Sequence, residues 1–92
     1  MGKNISIITD DLEHCYLCKT SPIEIHHCLH GTANRKLADK YHLIVPLCPI
    51  HHRQVHEFDR QLDLKLEKIA QAHFNEAYPD LDFREIFGRN YL

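Results

Sequence analysis

Two short Cys/His knuckles constrain this chain more than anything else in it. Cys15-x-x-Cys18 and Cys48-x-x-His51 each hold two metal-ligating side chains at a spacing that one tight turn can aim at a single ion. Together they supply three thiolates and one imidazole, the tetrahedral set of a closed structural zinc site. The stretch 19–47 between them is longer than the spacer of a small zinc finger, long enough to enclose two strands and a loop. A chain of 92 residues has room for one domain (residues 1–92) and one small core. At that size a staple beyond hydrophobic burial is often needed.

Composition helps to decide how the cysteines are used. Hydrophobic residues make up 43% and charged residues 26%, an ordinary globular balance. Four cysteines, Cys15, Cys18, Cys28 and Cys48, would also suit two disulfides in a secreted protein. The first residues, MGKNISIITDD, carry no long apolar run, so neither a signal peptide nor a membrane segment is expected. That favours a reducing cytoplasm, where such cysteines more often bind metal. A redox CxxC is the weaker alternative, because no βαβ context follows it. The net charge of -2 announces no basic field for a polyanion, although a local patch is a separate matter.

Periodicity supplies the elements. Residues 4–8 (NISII) suggest a short strand, and 23–28 a second, with Ile23 and Ile25 alternating with Glu24. A loop with Gly31 follows, then a short helical turn within 35–41. Leu43-Ile44-Val45 reads as a strand stopped by Pro46. Pro49 suits the first turn of a helix that would carry His52, Val55, His56 and Asp59. Leu62, Leu66, Ile69, Ala70, Phe74 and Ala77 mark an amphipathic helix over 61–77, ended by Pro79. Asp82-x-x-Glu85 resembles a capping box for a last short helix with Phe83, Ile86 and Phe87, stopped by Gly88. The expected class is therefore α+β, a small ββα core over 15–59 with a helical extension over 60–92.

Nine histidines are too many for such a chain to be passed over, and most lie in one half of it. His52 and His56 are four apart on the expected helix and so share one face. A hairpin folded back on that helix could bring His26 to the same point, giving three imidazoles with open positions, a catalytic rather than a closed metal site. Adjacent strand residues face opposite ways, so His26 and His27 divide the work: one binds metal, and the other is free to act as general base. The chemistry expected is phosphodiester hydrolysis, with His27 activating the water. His30, His42 and His73 are expected to be surface or capping residues.

Cys15-x-x-Cys18, then Glu24-Ile25-His26-His27, then Leu47-Cys48-x-x-His51-His52-x-x-x-His56 resembles the signature of the HNH (ββα-metal, treble-clef-like) endonucleases. The resemblance covers residues 15–56. It implies that Cys15, Cys18, Cys48 and His51 hold structural zinc, that His26, His52 and His56 hold a catalytic ion, and that His27 is the base. It also implies Mg2+, Mn2+, Ni2+ or Zn2+ as that ion; an all-histidine set suits the transition metals better than Mg2+. The chain departs from the family pattern twice. His51 stands where cysteine is commoner, which zinc accepts. The family's middle Asn, usual just before the second strand, is replaced there by His42-Leu43. Asn34 is the nearest substitute, either bracing the loop or positioning the base. The tail Phe87-Gly88-Arg89-Asn90-Tyr91-Leu92 resembles that of small HNH proteins of bacteriophages and prophages, which implies the cytoplasm of a bacterial host and phage recombination or packaging proteins as partners.

Arg35, Lys36 and Arg53, with Lys40 and Arg60 nearby, are candidates to line a phosphate path beside the metal. No base-reading side chain is identifiable, so DNA is expected to be bound with weak sequence specificity. Double-strand cutting by one small site would call for a homodimer. The competing expectation is a non-catalytic, zinc-stapled nucleic-acid-binding module. His27 favours the nuclease; the displaced Asn and the acidic net charge favour the binder.

Overall fold

The computed structural model describes residues 5–92. In order the elements are β1 (Glu24–His27), α1 (Thr32–Lys40), β2 (Ile44–Leu47), α2 (Pro49–Glu57), α3 (Arg60–Ala77) and α4 (Phe83–Phe87). The architecture is α+β: a two-stranded antiparallel sheet, β1 against β2, carried among helices. Its register pairs Glu24 with Leu47, Ile25 with Pro46, His26 with Val45 and His27 with Ile44.

Three expectations about the elements need correction. Ile5–Ile8 forms no strand, and Asn4 lies outside the described residues. The Ser6 hydroxyl is the cause. Its oxygen accepts from Ile8 N at 3.0 Å and Thr9 N at 3.3 Å while it donates to Ile44 O at 2.6 Å. A serine that captures the amides ahead of it closes a turn in place of a ladder. Pro46 does not stop β2 but lies within it. In a two-stranded sheet each strand is an edge, where the missing N–H is tolerated, and the Pro46 carbonyl accepts from Tyr16 N at 2.7 Å. Asp59 does not ride on α2. It caps α3, accepting from Leu62 N at 2.9 Å and from Gln54 Nε2 at 2.8 Å, and so fixes the α2–α3 joint.

The loop after β1 holds a nine-residue helix, longer than the turn expected over 35–41. It ends in a Schellman motif: His42 N reaches Asp39 O, Leu43 N reaches Ala38 O, and His42 takes the left-handed conformation at φ 63°. That reversal is what returns the chain antiparallel to β1. The last helix follows its signals closely. Asp82 accepts from Arg84 N and Glu85 N, and Gly88 ends α4 at φ 75°.

The core runs from Ile8 to Phe87 in one cluster. Phe74, fully buried on α3, meets Tyr41, Tyr78, Phe83 and Phe87 with ring centroids 5.1–5.8 Å apart. Gln71 ties down the tail, donating to Asn90 Oδ1 and accepting from Tyr91 N, each at 2.6 Å. This aromatic layer joins α3 and α4 to Tyr41 at the end of α1, one of the helices that line the histidine cleft. Among the described residues no helix is long and apolar enough to cross a membrane.

Candidate metal centres

The two knuckles meet. Cys48 Sγ stands 3.3 Å from His51 Nδ1, Cys15 Sγ 3.6 Å from the same nitrogen, and Cys18 Sγ 3.8 Å from Cys48 Sγ. Bond lengths of about 2.3 Å to sulfur and about 2.0 Å to nitrogen put the edges of a zinc tetrahedron at about 3.8 Å for S–S and about 3.5 Å for S–N. Three edges of the tetrahedron therefore already match, all four ligand atoms lie within 4.8 Å of one another, and the cluster could hold such a metal. All four cysteines are free thiols. Cys28 is not part of the cluster; it is fully buried in the core, and that burial pushes its thiol up.

Local backbone prepares the ligands. Cys48 is the N-cap of α2, and its sulfur accepts from His51 N at 3.5 Å, which holds the thiol below its ordinary value. Burial works to raise the Cys15 thiol, but donors from Cys48, Cys18, Leu17 and His51 outweigh it and bring it down. The two cysteines in turn raise His51. Two of the sulfurs are thus biased towards the thiolate that a metal takes. Lys19 closes the first knuckle at φ 65°, with its amide bonded to Cys15 O at 2.8 Å.

A second cluster forms where β1 crosses α2. His26, His52 and His56 bring one nitrogen each within 4.8 Å of one another. His52 and His56 share a helix face, and their Nε2 atoms are 3.1 Å apart. Glu24 accepts from His52 Nδ1 at 2.6 Å, which fixes the tautomer and leaves Nε2 free for a metal. Glu24 and His26 lie two apart on one strand, hence on one face.

His26 is the unusual member. It is fully buried, and among the described residues neither ring nitrogen has a hydrogen-bond partner. Burial, with the neighbouring histidines adding to it, lowers its pKa to about 3, so the ring is neutral. An orphaned buried imidazole costs on the order of 1–3 kcal/mol unless something ligates it. The same burial lowers His56. A neutral imidazole is the ligating form, so these residues fit a divalent ion.

Both clusters border one continuous frame, but only the histidines open on a cleft. That cleft, of about 460 Å³, is lined by His27, His30, Gly31, Thr32, Arg35, His52 and His56 together with Ile25 and Leu29. His27 thus reaches the same space as the ligands while pointing to the other side of β1 from His26. Asp39 of α1 stands 3.4 Å from its Nε2. Asn34 does not approach His27: its side chain donates to Phe87 O at 3.3 Å and braces α1 on the tail. Arg35 lines the cleft, whereas Lys36 is exposed and Arg53 pairs with Glu57 at 3.1 Å on an exposed helix face.

Four participants escaped the sequence. His30, expected on the surface, lines the cleft and bonds Asp63 Oδ1 through Nε2 at 2.6 Å. Glu24 stood in the quoted motif without a role of its own, and Asp39 was not singled out. Asp63 carried a faint signal, since Asp63, Glu67 and Gln71 form a polar row inside the buried face of α3. A buried acid in such a row needs a partner.

No protein-family model matches this chain, and no curated protein or solved structure matches it.

Proposed function

We propose that the protein is a metal-dependent endonuclease of the HNH (ββα-metal) type, hydrolysing phosphodiester bonds in DNA. The observation that carries this reading is His26: a neutral, buried, unpartnered imidazole facing His52 and His56, which line a cleft together with a separate histidine, His27, that has its own carboxylate. A structural metal site has no use for the second histidine. A bound divalent ion would supply positive charge for a non-bridging phosphate oxygen and for the leaving oxygen. The all-imidazole set favours Ni2+, Mn2+ or Zn2+ over Mg2+.

His27 takes the proton from the attacking water. Asp39, 3.4 Å from His27 Nε2, would help to orient the ring. Glu24 keeps His52 turned to the centre. Arg35 stands in the cleft as the phosphate-binding cation. The Cys15, Cys18, Cys48 and His51 site anchors the start of α2, and so sets where His52 and His56 stand. Asn34, bonded to Phe87, is given no catalytic role in this reading.

The zinc-stapled binding module is the second reading. The displaced Asn34 and the net charge of -2 favour it. Nicking of supercoiled plasmid with added Mg2+, Mn2+ or Ni2+, wild type beside His27→Ala, separates the two. The nuclease predicts metal-dependent nicking lost in a variant that keeps its fold and its zinc. A folded wild-type protein holding one zinc that fails to cut with any of these metals leaves the binding module.

A further inference from the structure

We propose that His30, held by Asp63, is a fourth protein ligand of the ion that His26, His52 and His56 would hold, a reading that rests on the metal centre proposed above. The resemblance that suggested the other three gives His30 no role, and in the sequence it is an isolated histidine in a loop. Its placement says otherwise.

The argument is one of spacing. An imidazole nitrogen binds zinc at about 2.0–2.1 Å, and the ring centroid lies roughly 1.1 Å behind it, so four imidazoles on a tetrahedral ion set their centroids about 5.2 Å apart. The measured separations are 5.7 Å for His26–His30, 5.3 Å for His26–His52, 5.3 Å for His26–His56, 5.7 Å for His30–His56 and 4.7 Å for His52–His56. His30 thus stands 5.7 Å from both His26 and His56, at the long end of this range, and among the described residues makes no such ring contact with His52, so it borders the group on its His26 and His56 side. A ligand atom of His30 also lies within 4.8 Å of one on His26 and one on Asp63.

Asp63 supplies the second observation. It is buried to 6% exposure and spends its carboxylate on His30. Glu24 does the same for His52. Two imidazoles of one cluster, each backed by a carboxylate 2.6 Å away, repeat the carboxylate–histidine–metal arrangement that orients ligands and raises their basicity. Four imidazoles complete a tetrahedral ion and leave two positions on a six-coordinate one. Zn2+ is then held tightest and is the poorer activator, while Ni2+ and Mn2+ keep room for phosphate.

The test is Ni2+ binding by calorimetry to protein already carrying one zinc. The panel is wild type, His30→Ala, His30→Gln, Asp63→Asn, His52→Ala and, as a control, His73→Ala. Circular dichroism and zinc content establish that each variant folds, and His30→Gln retains the polar contact should His30→Ala fail. The inference expects both His30 variants to lose at least tenfold in affinity and Asp63→Asn to lose about 10–100-fold, with His73→Ala unchanged. It is overturned if the His30 variants bind as wild type while His52→Ala does not bind; the three-histidine centre would then stand without His30. Absence of any second ion in wild type would remove the centre itself.

Discussion

The two clusters use the same residue type to opposite ends. In the Cys15, Cys18, Cys48 and His51 site, three ligands are sulfur, two are buried, and backbone turns and the α2 N-cap place them. In the His26, His52 and His56 site every ligand is an imidazole, among the described residues only His52 is held by a carboxylate, and one wall is an open cleft. The first could hold a metal with the protein's own donors alone, and would then support the fold. The second leaves work for something from outside. The two clusters meet on one helix, since His51 and His52 are neighbours on α2, so a single helix start would serve both stability and chemistry.

Removal of the zinc should have the largest effect. Chelation, or Cys48→Ala, is expected to unfold the whole domain, because binding of structural zinc to small fingers is worth on the order of 10–16 kcal/mol of folding free energy. Loss of helical dichroism in step with zinc release would show it; a fully folded zinc-free chain would erase the distinction between the sites. His27→Ala comes next, with cleavage down about 10²–10⁴-fold at unchanged melting temperature and metal content. Glu24→Gln is expected to weaken the catalytic ion about 10–100-fold and leave structural zinc in place, as metal titration of each site would reveal. Arg35→Ala should reduce the salt slope of DNA binding by about one, while Arg53→Ala, whose exposed pair with Glu57 is worth about 0–1 kcal/mol, changes neither binding nor stability measurably.

A pH experiment sharpens the same contrast. In protein holding only structural zinc, the His26 ring should stay neutral between about pH 8 and 5, where an ordinary histidine titrates. Its folded-state value lies below its unfolded one, so its burial supports the fold above about pH 6.5 and costs stability as pH falls towards 3. Ring proton shifts of His26 that move near pH 6.5 would mean the imidazole is not buried as described.

Short spacings were legible in the sequence; long ones were not. Two knuckles, a His-His strand end and a four-residue helical step each lie within a few residues, and local geometry fixes where their side chains point. The α3 and α4 boundaries were readable for the same reason, from periodicity and caps. The pairs His30–Asp63, His27–Asp39 and His52–Glu24 join different elements, and their partners can be found only once the chain has folded. Ser6 misled because its hydroxyl captures the amides of Ile8 and Thr9 and closes a turn, and Pro46 because its carbonyl is bound by Tyr16 within an edge strand. Asn34 misled because chemistry was assigned to the right residue type at a position that faces the tail.

The central claim is that one site holds the fold and the other performs the chemistry. Stepwise chelation of metal-loaded protein tests it most directly, with plasmid nicking, zinc content and dichroism read from the same samples. The account predicts that mild chelation abolishes nicking while one zinc and the full helical signal remain, and that unfolding follows only when that zinc leaves. Nicking that persists until the fold itself is lost would contradict it.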